Sequence, residues 1–383
     1  MADFWYNHFN VFMEKGADRV LTGIYEREAI RPHVFGKFRD LLEATASSPA
    51  MLFYLDNWQS VSPERAQQQA PLLRQIGKQR AKRLSAEQQA KQQARQAKQQ
   101  ARGLNENYAR ELMELHTLGV DGGYTQKDIV EVARCFTGWT IFEPRLGGDF
   151  YYNDRVHDKG EKIVLGVKIP AGGGKDDAEK VLDILARHPN TARFISTKLA
   201  KKFVADDPPP ALIERMAKTF HDSDGDIRAV MGTMLESKEF FSAGAFRAKV
   251  KTPLEMIVSA VRATGAQVDY AMPLGNQIAQ LGQPLYRKQE PTGYSSANAE
   301  WVNSAALLAR MNFAIALADN RVPGVKVDTE RFRVDPAEAA RQLLFREATK
   351  ETIASINNAL MQKEPTSALV AGLVLGSPDF QRR

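Results

Sequence analysis

Residues 104–139 read LNENYARELMELHTLGVDGGYTQKDIVEVARCFTGW, and this stretch predicts two amphipathic helices joined by a short glycine-rich turn. The first helix is predicted by apolar side chains at helical spacing, namely Tyr108, Leu112 and Leu115. Asn105 is placed to cap the start of this helix, and Gly119 supplies the left-handed residue that commonly ends one. The fold class therefore begins with a helical pair.

The second helix of the pair has its own start and stop signals. Thr125 and Asp128 have the spacing of a capping box, in which each side chain bonds the backbone of the other. The buried face of this helix is predicted to consist of Ile129, Val132 and Phe136. Gly138 follows as the stop.

A polar face runs along the first helix beside the apolar one. Asn107, Glu111 and Glu114 recur at helical spacing, Arg110 stands one turn before Glu114, and His116 follows. Two carboxylates and a histidine have the chemistry of a general acid and base. A carboxylate next to Arg110 is equally an ordinary helix ion pair. Both interpretations remain open at this level.

Four stretches resemble the bacterial family catalogued as domain of unknown function 1800. They are NENYARELMELHTLGVDGGYTQKDI from residue 105, FWYNHFNVF at 4–12, HDKGEKIVLG at 157–166, and LGQPLY with PTGY within 281–294. The resemblance spans nearly the whole chain, so we predict a single domain over residues 1–383.

The resemblance also implies export, because members of this family usually carry a signal and further helices before the point where this chain starts. A periplasmic or extracellular location is therefore expected. Residues 1–3 lead directly into an amphipathic helix, without the basic and apolar regions of a signal peptide. We expect the N-terminal part of the domain to be missing.

Composition limits the class of protein. The chain has 383 residues, of which 43% are hydrophobic, as is usual for a globular protein. No apolar run is long enough to predict a membrane span. Cys135 is the only cysteine, which excludes an intrachain disulfide, and we expect it to be buried in its helix.

The positive net charge is concentrated in one segment. The chain carries +6, but residues 74–102 contain nine Lys or Arg against Glu87 alone and so carry +8, which leaves −2 for the remainder. Residues 63–103 are rich in Gln, Lys and Arg and read as a helical or disordered insertion. Aromatic side chains that would stack on bases are absent from the basic run, so we expect no nucleic-acid partner.

Strand patterns are rare. Residues 150–152 and 162–165 read as two short strands joined across the turn His157-Asp158-Lys159-Gly160. We therefore predict a mainly α-helical, compact multi-helix body with one small β-hairpin near residues 150–167.

Candidate site residues come from three stretches, since no catalytic motif or cofactor fingerprint is present. The predicted catalytic groups are Glu111, Glu114, His116, His157 and Asp158. The predicted ligand-binding residues are Asn107, Arg110 and Lys162, together with the aromatic loop residues Tyr286, Tyr294 and Trp301. We predict that the polar row of the first helix meets the hairpin turn.

Two functions from different classes fit these residues. An exported hydrolase acting on a polysaccharide would use a carboxylate pair flanking a glycosidic bond, with aromatic side chains against the sugar. A non-catalytic helical binding or assembly protein would use the aromatic loop and the basic segment. His and carboxylate side chains could alternatively hold a divalent metal, although no residue is assigned as a metal ligand and the cofactor is unknown. A carbohydrate or other extracellular ligand is the expected partner.

Overall fold

The computed structural model describes residues 1–68, 103–144, 146–361 and 364–383. The chain divides into two compact units. The first comprises residues 1–197, 213–233 and 286–293, and the second comprises residues 198–212, 234–285 and 294–383. Most of the basic insertion, including residues 74–102, lies outside the described residues.

Helices dominate the first unit, which confirms the predicted fold class. Its α-helices are α1 (Ala2–His8), α2 (Asp18–Ile24), α3 (Phe38–Ala46), α4 (Pro49–Tyr54), α5 (Glu106–Met113), α6 (Gln126–Cys135) and α7 (Asp176–Arg187). Three further helices run through residues assigned to both units: α8 (Pro189–Phe203), α9 (Pro210–Asp222) and α10 (Ile227–Leu235). Short 3-10 turns cover Arg31–His33, Asn57–Gln59 and Asp154–Val156.

The helical pair of residues 104–139 has the predicted caps. The Asn105 side chain accepts a hydrogen bond from the Tyr108 amide, and Thr125 with Asp128 forms a complete capping box. Gly119 has a φ of 82°, which a residue with a side chain rarely adopts. These local signals therefore specify the helix ends correctly.

The first helix of this pair differs from the prediction in its last turn. Residues Glu114–Leu118 continue α5 as a π-helical turn, which inserts an extra residue and rotates the following side chains. Met113, His116 and Thr117 are consequently buried, whereas Leu115 is only half-buried. The Thr117 hydroxyl donates to the Leu112 carbonyl at 2.8 Å, which satisfies an acceptor within this wider turn.

Both predicted strands exist, but their predicted pairing is wrong. β2 (Phe150–Tyr152) pairs antiparallel with β1 (Trp139–Ile141). β3 (Lys162–Val164) instead forms a tight hairpin with β4 (Val167–Ile169). The turn between them contains Leu165 and Gly166 with φ of 48° and 80°, a conformation suited to two-residue hairpins.

Aromatic side chains form much of the core of the first unit. Trp5, Phe9 and Phe38 pack within about 6 Å of one another, and Phe136 lies between Tyr108 and Trp139 with ring centroids 5.3 and 5.1 Å away. Cys135 is fully buried beside them, as predicted. This core holds α5 and α6, and therefore the polar face of α5, in place.

The second unit has a separate apolar core. Its helices are α11 (Pro253–Ala263), α12 (Met272–Gln280), α13 (Ser304–Ala318), α14 (Pro336–Leu344), α15 (Lys350–Leu360), α16 (Ser367–Gly376) and α17 (Pro378–Gln381), with a 3-10 turn at Asn298–Trp301 and one strand pair, β5 (Gln267–Val268) with β6 (Val325–Lys326). α16 approaches α13 closely, because a Cβ at Gly372 would lie only 3.0 Å from the Ile315 Cα.

Candidate functional site

The predicted site residues of the first unit fall into two polar groups. The carboxylate row consists of Asn107, Arg110, Glu111 and Glu114 along α5 and its π-helical turn. The buried network consists of His157, Asp158 and Lys162 together with Arg134, Thr137 and Asp177. Across the described part of the chain, no hydrogen bond or ion pair joins the row to the network.

Asp177 is the centre of the buried network. Its Oδ2 lies 2.7 Å from Lys162 Nζ and 3.2 Å from His157 Nε2. The side chains of all three residues are fully buried. The other imidazole nitrogen, Nδ1, lies 2.7 Å from the Thr137 carbonyl oxygen. The histidine and the lysine of the sequence motif therefore meet a carboxylate that begins α7.

Asp158 is held by a second set of bonds. The Arg134 guanidinium donates to its two oxygens at 2.9 and 3.0 Å, and the Gly160 amide donates to Oδ1 at 2.9 Å. Burial opposes ionisation, but these hydrogen bonds and the guanidinium charge still hold the pKa of Asp158 below its usual range. The Thr137 hydroxyl accepts a hydrogen bond from the Asp158 amide at 2.8 Å. Asp158 is therefore an ionised carboxylate bound to an arginine.

The network ties three elements together. Arg134 lies on α6, Lys162 begins β3, and Asp177 lies in the first turn of α7. Both nitrogens of His157, both oxygens of Asp158 and the Lys162 ammonium have partners within the protein. Such closed bonding is typical of a structural network.

Gly172, Gly173 and Gly174 form a loop before α7, and the buried network leaves no room for a side chain at Gly173. A Cβ added at Gly173 would lie 1.9 Å from Asp177 Oδ1, so any side chain there collides with the central carboxylate. The glycine-rich sequence of the loop predicts a flexible connector. In the structure, a glycine at position 173 also leaves the space that the Asp177 carboxylate occupies.

We expect the Gly173→Ala substitution to destabilise the protein by about 1–3 kcal/mol, the usual cost of forcing extra volume into a packed site. Thermal unfolding measures this. Gly174→Ala is the matched control, because the nearest atom to its Cβ is the Tyr152 hydroxyl at an ordinary 3.5 Å. Equal melting temperatures for the two variants would contradict the steric role.

In the carboxylate row, Glu111 is the residue with a perturbed acidity. Burial and the neighbouring Glu114 carboxylate raise the pKa of Glu111, while Arg110 opposes the shift. The Glu111 carboxylate also affects Tyr54: burial, and after it the charge of Glu111, raise the pKa of the Tyr54 phenol. Glu111 is therefore half-buried beside a second carboxylate and near a tyrosine.

Glu114 has a different partner. The Tyr124 hydroxyl donates to Glu114 Oε2 at 2.9 Å, and burial together with this bond raises the pKa of Tyr124 to about 12. Arg110 donates to Gln126 at 2.9 Å rather than to either glutamate. The two carboxyl groups of the row therefore occupy unlike environments.

Asn107 borders a pocket of about 670 Å³. Its polar lining includes Lys15, Asp56, Gln59, Ser60, Asn105 and Glu106. Asn107 and Glu111 are one turn apart on α5, so the pocket and the perturbed carboxyl lie on the same helix face. This confirms the helical spacing on which the polar row was predicted.

Asp18 is a buried carboxyl that sequence reasoning missed. Its side chain is fully buried, and neither oxygen has a hydrogen-bond partner among the described residues. Burial raises the pKa of Asp18 to about 8, with Lys15 opposing and Asp56 adding to the shift. The Asp18 carboxylate also contributes to the raised pKa of the Tyr54 phenol. In the sequence, Asp18 resembles any acidic residue in a first helical turn, so no signal marks it.

The remaining predicted residues of the first unit are packed. His116 is buried on the π-helical turn, with its ring centroid 5.1 Å from that of Phe9, and its carbonyl oxygen lies 3.1 Å from His8 Nε2. Tyr286 donates to Glu26, which lies on a second π-helical turn at Tyr25–Ile30.

Tyr294 and Trp301 belong to the second unit, unlike Tyr286. The Tyr294 hydroxyl donates to the Pro284 carbonyl at 2.8 Å, and Trp301 Nε1 donates to the Ser295 carbonyl at 3.1 Å. Their ring centroids are 6.1 Å apart. The predicted aromatic loop is therefore divided between the units.

The described residues contain neither a metal-binding cluster nor a membrane-spanning helix. No group of three or more His, Cys, Asp or Glu side chains is arranged to hold a metal ion in the ranges that the structure covers. Within the same ranges, each helix is too short or too polar to cross a bilayer.

The fold and the site together define a class: mainly α-helical proteins with a half-buried carboxyl pair along a helix whose first turn borders a pocket. A family model described as "Protein of unknown function (DUF1800)" matches residues 1–382, and the chain belongs to this family. This confirms the resemblance found in the sequence. Comparison with curated proteins and with solved structures gives no match.

Proposed function

We propose that the protein is an exported hydrolase that acts on a polysaccharide through the carboxylate row. Glu111 is the proton donor, and Glu114 is the second carboxyl group, which stabilises developing positive charge. Asn107 and Arg110 bind substrate hydroxyls at the edge of the pocket. His157, Asp158 and Lys162 hold α6 and α7 against the hairpin, and so support the row from outside it.

One observation carries this proposal: the two neighbouring carboxyl groups have unlike surroundings. Glu111 has a pKa raised by burial and by Glu114, which favours the protonated form that a general acid needs. Glu114 accepts a hydrogen bond from a tyrosine that stays neutral. Glycoside hydrolysis uses such a pair, one carboxyl protonated and the other charged.

The pocket supports a hydroxyl-rich substrate. Its lining combines amide, hydroxyl, carboxylate and ammonium groups, which are the partners of sugar hydroxyls, and its volume of about 670 Å³ is in the range of ligand sites.

The test is a panel of soluble polysaccharides, with release of reducing ends measured for wild type and for Glu111→Gln. We expect the substitution to lower kcat by roughly 10²–10⁴, the usual contribution of a general acid. Glu161→Gln is the matched control, since that side chain is exposed and pairs with Lys168 at the surface. Its activity is expected to equal that of wild type.

The pH profile adds a second readout. A general acid must be protonated, so wild-type activity is expected to fall as the pH rises through the raised pKa of Glu111. The residual activity of Glu111→Gln is expected to lack this limb. Full activity of the glutamine variant, or no turnover of any polysaccharide, would overturn the proposal.

A second candidate is a non-catalytic helical binding protein. The closed bonding of His157, Asp158 and Lys162 favours it, because these motif residues then serve the fold. A polysaccharide that raises the melting temperature without releasing reducing ends, equally in wild type and Glu111→Gln, would support this candidate.

A further inference from the structure

A second cavity, of about 630 Å³, lies entirely within the second unit. Residues of α11, the end of α14 and the C-terminal segment 379–383 line it. No residue of the carboxylate row takes part, so this cavity is independent of the proposed hydrolytic site.

Lys251 lines the cavity, and no carboxylate of the described residues forms an ion pair with its ammonium group. Its Nζ lies 3.8 Å from the centroid of the Phe380 ring, and no hydrogen bond or ion pair to Nζ is formed by any residue that the structure describes. Burial lowers the pKa of Lys251 to about 8, although Glu255 opposes this. A desolvated cation against an aromatic face attracts an anion.

The two carboxylates of the cavity wall are already neutralised. Glu255 lies 3.0 Å from both Lys202 Nζ and an Arg383 nitrogen. Asp379 pairs with Arg247 at 2.5 Å and with Arg346 at 3.2 Å. Each carboxylate therefore has two bonded cationic partners, and neither forms an ion pair with Lys251.

Two more cations line the cavity, Arg262 and Arg382, and both are exposed. Neither forms an ion pair within the described ranges of the chain. Three lining cations thus remain without a bonded carboxylate, and the cavity attracts anions.

Part of the cavity lining is apolar. Val258, Leu343, Leu344 and Phe345 contribute hydrocarbon or aromatic surface to the lining. Phe345 is 82% exposed and adopts a φ of 56°, where a bulky residue is uncommon. An exposed aromatic ring beside apolar side chains suits the hydrophobic part of a ligand.

We propose that this cavity binds a small organic carboxylate with an apolar body, such as a medium-chain acyl or aromatic acid. The carboxylate takes the position next to Lys251, with Arg382 at the mouth, and the apolar body lies against Val258 and Phe345. The half-buried ammonium of Lys251 matches a singly charged head group, and the volume is in the range of drug-sized ligands.

Calorimetric titration of the full chain with octanoate tests the proposal. Octylamine, which has the same tail but a positive charge, and acetate, which has the negative charge but no tail, are the comparison probes. We expect octanoate to bind more tightly than either. Lys251→Met keeps most of the apolar stem and removes the charge, and is expected to weaken octanoate binding about tenfold or more. Lys326→Met is the matched control, because Lys326 is the exposed residue of strand β6. This variant is expected to bind like wild type.

A second measurement uses the nucleophilicity of a lysine with a lowered pKa. At pH 8 we expect octanoate, but not octylamine, to slow reductive methylation of Lys251 in the wild-type protein. Equal binding of octylamine and octanoate would show an apolar cavity without anion selectivity and would overturn the proposal. Unchanged octanoate affinity in Lys251→Met would overturn it as well.

Discussion

The Asp18→Asn variant is expected to keep its stability as the pH rises from about 4 to about 8, whereas the wild-type protein loses stability over this range. Burial raises the pKa of Asp18 to about 8 in the folded chain. In the unfolded chain the carboxyl ionises near its usual pKa of about 4. The folded state therefore retains a proton that the unfolded state has released.

The sign follows from this difference. A group with a raised pKa in the folded state contributes stability that is fully present below the unfolded pKa and disappears as the pH rises through the folded value. The loss is about 6 kcal/mol at most, since one unit of pKa difference between the states corresponds to about 1.4 kcal/mol. Asparagine cannot ionise and avoids it.

Denaturant unfolding at several pH values between 4 and 9 measures the effect. Asp149→Asn is the matched control, because Asp149 is exposed and its substitution is expected to leave the wild-type pH profile unchanged. A profile for Asp18→Asn that parallels wild type would show that Asp18 ionises normally in the folded protein.

The second large effect is expected at Asp177. Removing its carboxylate with Asp177→Ala leaves the fully buried Lys162 ammonium without its anionic partner. Breaking a buried ion pair in this way costs about 3–5 kcal/mol, because the remaining charge is neither solvated nor paired. His157 also loses the acceptor at its Nε2. We expect a large fall in melting temperature.

Asp176→Ala is the control for position and chemistry. Asp176 is the preceding residue of α7, but it is exposed and pairs with Lys180 at 2.7 Å on the surface. Exposed pairs contribute about 0–1 kcal/mol, so the control is expected to unfold close to wild type. A second variant, Asp177→Ala/Lys162→Met, removes the orphaned charge and is expected to recover part of the stability. No recovery would mean that the cost does not arise from Lys162.

The helical pair shows what sequence patterns predict well. Asn105, Gly119 and the Thr125–Asp128 box all act within one or two turns, so their bonds depend only on neighbouring residues. The apolar stripe predicted the buried positions Tyr108 and Leu112 for the same reason. The last turn was missed because a π-helical turn is stabilised by packing around it, which α-helical spacing does not encode.

Strand pairing shows the opposite case. The residues 150–152 and 162–165 have strand character, but short strands acquire partners through contacts that their own sequence does not specify. Trp139–Ile141 carries no separate strand signal, yet it pairs with β2. The sequence predicts a hairpin tip at His157, whereas the structure places His157 in a buried network with Asp177.

The candidate site divides in the same way. The amino-acid sequence by itself determined the family, the mainly helical fold class and the row that places Glu111 one turn after Asn107, since each depends on residue identity and local spacing. Tertiary structure decided which charges are desolvated. It buried Asp18 without a hydrogen-bond partner among the described residues, paired Asp177 with Lys162, and left Lys251 facing a cavity. Burial and pairing set the pKa of a carboxyl or ammonium group, and both arise only when distant segments pack together.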